Sequence, residues 1–140
     1  MYAFPTQDWA NAYKDALNQS ATYKEAAKDW THGSVSMIVK ANPSIGIATD
    51  IGLILDVDQG NCRAATVVSA EEAQAAPFVI VAEYSQWKSV MKGELDPIKG
   101  MMQGKLKLTK GHMPTIVKYV HSNRALVSTI ANVATKFPDE

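Results

Sequence analysis

The sequence predicts an α+β fold: a largely antiparallel sheet of about five strands, covered on one face by helices. Three observations carry this. Apolar residues in the N-terminal segment, 6–30, recur with the period of a helix. The period switches to two at Ser34 and returns to a helical one at Ser85. Turn-forming residues separate the strand-like runs.

Trp9, Ala12, Tyr13, Ala16 and Leu17 form one apolar helix face, with Thr6 as the expected N-cap. Ser20 is placed to cap a second helix carrying Tyr23, Ala26, Ala27 and Trp30, which Gly33 ends. SVSMIVK (34–40) alternates as a strand, and Ala41 to Ser44 reads as a turn or loop. IGLILDVD (51–58) and CRAATVV (62–68) flank Gln59-Gly60-Asn61, a loop of hairpin length. SAEEAQAA (69–76) is a polar connection with room for a helical turn, and FVIVAEY (78–84) is a further strand. Ser85 is the expected cap of a helix with Trp87, Val90 and Met91, stopped by Gly93. Asp96 caps the next short helix, with Pro97 in its first turn and Gly104 after it. KLKLT (105–109) puts Leu106 and Leu108 on one face and lysines on the other, as expected near a sheet edge. Pro114 starts a helix with Ile116, Val117 and Val120, and His121 to Arg124 interrupts its apolar face. A last helix, Ser122 to Phe137, is expected to carry its own cap, Ser122 or Asn123. The whole chain, 1–140, is read as one domain: the helical segment 6–30, then sheet and helices over 33–137.

Composition narrows the function. Hydrophobic residues are 46%, enough for a packed core. Lys plus Arg and Asp plus Glu are 14 each, and this balance argues against nucleic acid as a partner. Locally the balance fails. Lys99, Lys105, Lys107, Lys110 and Lys118 fall in a window without an acid, which is either a solvated rim or a seat for an anionic headgroup or membrane surface. The single cysteine, Cys62, allows no intrachain disulfide. No signal peptide or membrane span is visible, so a cytoplasmic location is expected.

Catalytic patterns are weak. His112 and His121 are spaced to lie on opposite sides of a helix, His32 stands alone, and no serine lies in a G-x-S-x-G elbow. Cys62 reads as a small buried hydrophobe. Asp56 to Asn61 has the wrong order for a calcium loop, whose twelfth position would be Val67. Gly46 and Gly52 do not make a dinucleotide fingerprint. No enzyme activity, cofactor or metal is therefore expected. The positive signal is apolar and pliable: Met91, Met101, Met102 and Met113 cluster among glycines, either as core filling or as an adaptable binding wall.

The segment KGELDPIKGMMQGKLKLTKG (92–111) resembles the signature of the sterol carrier protein (non-specific lipid-transfer protein) family. Its parts are Gly93-Glu94-Leu95-Asp96-Pro97, then Met101-Met102, then Gly104-Lys105-Leu106-Lys107-Leu108-Thr109-Lys110-Gly111. DVDQGNCRA (56–64) and AEYSQWKSVMKGELDP (82–97) are similar to the family's hairpin and its strand-then-helix approach, so the resemblance spans roughly 33–120.

The resemblance implies an apolar tunnel between the sheet and the C-terminal helices, without enzymatic chemistry. The implied ligand is a hydrophobic small molecule: fatty acid, acyl-CoA, phospholipid or sterol-like. Met101 and Met102 would roof the tunnel, Leu106 and Leu108 would line its floor, and Ile116, Val117 and Val120 would close a side. Trp87, Met91 and Met113 complete the implied lining. Transient contact with a membrane surface and a homodimer are further expectations. The alternative is an accessory or dimerisation module whose groove is filled by a partner protein. The last helix is expected to be either a lid or a fixed wall.

Overall fold

The computed structural model describes residues 1–140. The order of elements is β1 (Tyr2–Ala3), α1 (Gln7–Gln19), α2 (Ala21–Ala26), β2 (Val35–Val39), β3 (Ile51–Asp58), β4 (Asn61–Ser69), α3 (Ala70–Ala73), β5 (Phe78–Ala82), α4 (Tyr84–Met91), α5 (Pro97–Met102), β6 (Lys107–Lys110), α6 (Met113–Lys118), α7 (Val120–Ser128) and β7 (Thr135–Lys136). Two 3-10 turns, Pro43–Ile45 and Thr129–Asn132, complete it. The main sheet has five strands in the order β4-β3-β2-β5-β6, antiparallel except for the β2–β5 pair. The α+β reading holds.

The caps expected of Thr6 and Ser20 form: their side chains accept from the backbone N–H of Trp9 at 3.2 Å and Tyr23 at 3.0 Å. Ser69 and Glu72 make a reciprocal capping box, which turns the polar connection after β4 into α3. The β3–β4 turn is tighter than expected. Asp58 pairs with Asn61, leaving Gln59 and Gly60, both with positive φ, as a two-residue hairpin turn.

One core cluster of 32 buried residues joins the N-terminal helices, the inward sheet face and the C-terminal helices, so these layers share one interior. The central strand β2 is buried on both faces. Ile38 turns away from the main core and packs with Ala73 and Val79, because α3 lies across the second face. Gly52 permits this approach, since a Cβ there would stand 2.6 Å from that of Ala73. Helices therefore dominate one face, and one short helix shields the middle of the other.

Several boundaries move. Glu83, not Ser85, stands before α4, and Ser85 lies inside it. The expected break at His121–Arg124 falls instead at Tyr119, between α6 and α7. Ser122 and Asn123 are buried within α7 rather than capping it, and the Asn123 amide donates to Tyr119 O at 3.1 Å. The last helix ends far short of Phe137, and the chain becomes extended and pairs, parallel, with β1. Strand β6 begins two residues after the expected start. The N–H groups of Lys105 and Leu106 are already committed to Gly100 O, at 2.8 and 3.1 Å, closing α5.

Candidate functional site

The 92–111 segment is first of all an architectural device. Gly93 and Gly104 take the left-handed conformation (φ +73° and +76°) that ends α4 and α5. Asp96 accepts from Lys99 N at 3.0 Å and Pro97 sits in the first turn of α5. Gly100 lies so close to Leu106 that a Cβ would stand 3.2 Å from Leu106 Cγ. Asp96 also meets Arg124 Nε at 2.8 Å, tying α5 to α7. The adjacent methionines separate: Met101 is buried, whereas Met102 is 72% exposed.

The interior space lies between the sheet and its helical cover. Its floor is Met37 and Val39 of β2, Ile51, Gly52 and Leu53 of β3 and Val67 of β4. Trp87 and Met91 of α4 and Ile130 form one wall, and Phe4, Pro5, Thr6 and Trp9 close the top. The volume is about 20 Å3, room for roughly one water.

The polar edges around this space are satisfied from outside it. Trp87 Nε1 donates to Ile38 O at 3.0 Å, and Trp9 Nε1 to Thr135 Oγ1 at 2.9 Å. Tyr13, beside Trp9, donates its hydroxyl to Leu126 O at 2.6 Å. The indoles thus turn apolar faces inward, and such a space stays dry. The cover is the segment that leads into α1. Phe4 packs edge-on to Trp9 at 4.8 Å, and Tyr2–Ala3 is held by a two-residue pairing with Thr135–Lys136.

Of the sequence-predicted lining residues, Trp87 and Met91 border this cavity. Met101, Leu106 and Ile116 are buried in the same core cluster, with Leu108 and Val120 half-buried against it. Met102, Met113 and Val117 face outward. Phe4, Trp9, Met37, Leu53 and Ile130 line it as well, without a signal in the sequence that marks them as lining. Periodicity placed Trp9 and Met37 on inward faces, but nothing in a period tells which inward side chains border a gap. Phe4 lies two residues before the cap of α1, outside every helix or strand period.

Reactive groups are dispersed. Burial pushes the Cys62 thiol up to about 11, so it is protonated at neutral pH. His32 packs against the rings of Trp30 and Tyr119, His112 Nδ1 lies 3.3 Å from Thr115 Oγ1, and His121 is exposed on α7. His, Cys, Asp and Glu nowhere gather in threes as a metal would require. No helix is long and apolar enough to cross a membrane.

A five-stranded sheet under a helical cover, with a small apolar space between them, defines the fold class. Known proteins agree. The SCP-2 sterol transfer family model matches residues 11–120, which includes most of α1 and extends the likeness seen in the sequence. The chain is 36% identical to a crystal structure of sterol carrier protein 2, with a TM-score of 0.86 over 92% of this chain and 98% of that one. It is 35% identical to a conserved hypothetical protein from Thermus thermophilus, with a TM-score of 0.84 over 94% of this chain and 90% of that one. Sterol carrier protein 2 from Yarrowia lipolytica, in its apo form, shares the fold at 16% identity and a TM-score of 0.55, over 87% of this chain and 88% of that one. No curated protein matches the sequence significantly. The chain belongs to the SCP-2 sterol transfer family, whose fold serves lipid binding and transfer.

Proposed function

We propose that this protein binds one lipid-like molecule at a time, of the fatty acid, acyl-CoA, phospholipid or sterol class, and transfers it without making or breaking covalent bonds. The observation that carries this is the apolar space under Phe4 and Trp9, whose neighbouring polar groups find partners elsewhere. The driving force is burial, roughly 0.8 kcal/mol for each CH2 taken from water. The space holds about one water, whereas a ligand site runs to several hundred Å3, so loading requires the walls to part. Met37 and Met91 are pliable walls, and the 4–6 segment is a cover outside any helix or strand. Expansion toward Met101, Leu106 and Ile116, in the same core, lengthens the site for a long chain. We further propose that lipid is exchanged at an anionic membrane surface through the lysine-rich α5–β6–α6 edge, where Met102, Met113 and Val117 are exposed.

Trp9 and Trp87 provide a native reporter. Titration with a brominated long-chain fatty acid is expected to quench tryptophan fluorescence saturably, with a stoichiometry near one. Met91→Asp, which puts a carboxylate on the wall, is expected to weaken this at least about tenfold. Absence of quenching by brominated fatty acids of several lengths and by a brominated sterol would refute the carrier reading.

A further inference from the structure

Helix α4 presents two chemistries. Tyr84, Trp87, Lys88 and Met91 fall at i, i+3, i+4 and i+7, one continuous stripe. Tyr84, Trp87 and Met91 are buried, and the last two border the apolar cavity. The lysine in this stripe breaks the apolar pattern, and its side chain is only 20% exposed. Lys88 Nζ meets the two carboxylate oxygens of Asp139 at 3.0 and 2.8 Å. The Tyr84 hydroxyl donates to the same carboxylate at 2.7 Å. Glu140 lies 2.6 Å from Lys88 and 3.1 Å from Lys92.

Tyr84, Lys88, Lys92 and Asp139 border a polar cleft of about 380 Å3 between α4 and the Asn42–Ile45 loop. Glu94, which also lines the cleft, pairs with neither lysine. An ammonium and a phenol converging on one carboxylate make a charge-assisted site. The tyrosine ring stands 6.2 Å from that of Phe4, which covers the apolar cavity, so this pair of rings lies between the two spaces.

We propose that Tyr84 and Lys88 form a carboxylate seat at the rim of the apolar cavity. Asp139 occupies it as an internal stand-in, and the head of a long-chain carboxylate displaces Asp139 when its tail enters the cavity. This rests on the carrier reading above. Displacement has a structural consequence. Phe137, over whose ring Lys88 and Lys92 stand at 5.3 and 5.2 Å, directly follows β7, the strand that holds β1 and the cavity cover. Releasing Asp139 from α4 loosens that cover, so head-group binding and chain loading assist each other.

The test compares palmitate with hexadecanol, which share a chain and differ in the head. The readout is the ratio of their affinities, because a loosened cover alone moves both alike. The unaltered protein is expected to prefer palmitate. The variant D139N/E140Q is expected to raise the ratio about tenfold, and K88Q to abolish the preference. A ratio unchanged by D139N/E140Q, or a preference that survives K88Q, overturns the seat while the carrier reading stands. Failure of both lipids to bind overturns both.

Discussion

Asp96 shows how much one side chain of the 92–111 segment holds. Its carboxylate caps α5 and grips Arg124 of α7. Burial pushes its pKa up, but the Lys99 N–H and the Arg124 guanidinium outweigh this and hold it below the ordinary carboxylate value. A carboxyl that is more acidic folded than unfolded contributes stability that is full above the unfolded value, about 4. That stability is lost as the pH falls through the folded value. Asn caps a helix as well as Asp but cannot ionise. Asp96→Asn is therefore expected to flatten the fall in melting temperature below about pH 4, whereas Asp96→Ala also loses the cap, about 1 kcal/mol at neutral pH. Identical acid profiles for wild type and Asp96→Asn would rule this out. Ser36 is the opposite case. It lies fully buried on the second face of β2, opposite Ile54 and Val79, and its hydroxyl has no protein partner. Ser36→Ala is expected to leave stability unchanged or raise it by about 1 kcal/mol, and a lowered melting temperature would show that the hydroxyl is held.

Edge strand β4 is covered in a way that no period announces. Gln7 and Asn18 lie three turns apart on α1, hence on one side of the helix. The Gln7 amide bonds Ala65 O at 2.8 Å and Val67 N at 2.9 Å, and the Asn18 amide bonds Cys62 O and Cys62 N, each at 2.9 Å. Two side chains thus do for β4 what a neighbouring strand would. The variant Q7A/N18A is expected to lose about 2–4 kcal/mol and to aggregate, measured by denaturant unfolding and light scattering. A monodisperse variant of wild-type stability would contradict it. In sequence these residues look like ordinary polar positions of an amphipathic helix, because a side chain bonding a distant backbone leaves no local trace. The main strands were legible as apolar or alternating runs bounded by turn residues, and α5 because Asp96-Pro97 and Gly104 mark its ends. Strands β1 and β7 were not, since two residues carry no period. The α6–α7 boundary was misplaced because Ser122 and Asn123 look like caps but are buried inside the helix. For the site, helical position put Trp87 and Met91 on an inward face, whereas the cavity's place beneath Phe4 depends on how β1 and β7 meet.

At the scale of the whole molecule, charge is unevenly spread. The formal net charge is zero, yet Lys99, Lys105, Lys107, Lys110 and Lys118 fall in one stretch without an acid, leaving the rest of the chain correspondingly acidic. All five are exposed and none forms a salt bridge, whereas Lys28, Arg63, Lys88, Lys92 and Arg124 all do. They belong to the β6 edge of the sheet and the helices that flank it, α5 and α6. Lysines guard such an edge against pairing with another strand, and that alone accounts for Lys107 and Lys110. It does not account for Met102, 72% exposed, or for Val117 and Met113 on α6, 48% and 37% exposed. Nucleic acid is a poor match, because the chain has no overall basic excess. A bilayer with anionic headgroups matches both features: lysines reach the headgroups while the apolar side chains enter the interface. Each lysine near such a surface is worth about 1 kcal/mol and acts within a Debye length. The protein is therefore expected to cosediment with vesicles of phosphatidylcholine and phosphatidylglycerol, much less with phosphatidylcholine alone, and less as salt rises. K105Q/K107Q is expected to weaken this binding roughly thirtyfold, and Met102→Asp to weaken it without changing its dependence on salt. Equal sedimentation with neutral and anionic vesicles, or an undiminished K105Q/K107Q, would overturn the proposed exchange through this edge. Concentration-dependent dimers that vanish on Met102→Asp would instead assign the exposed methionine to a second copy of the chain.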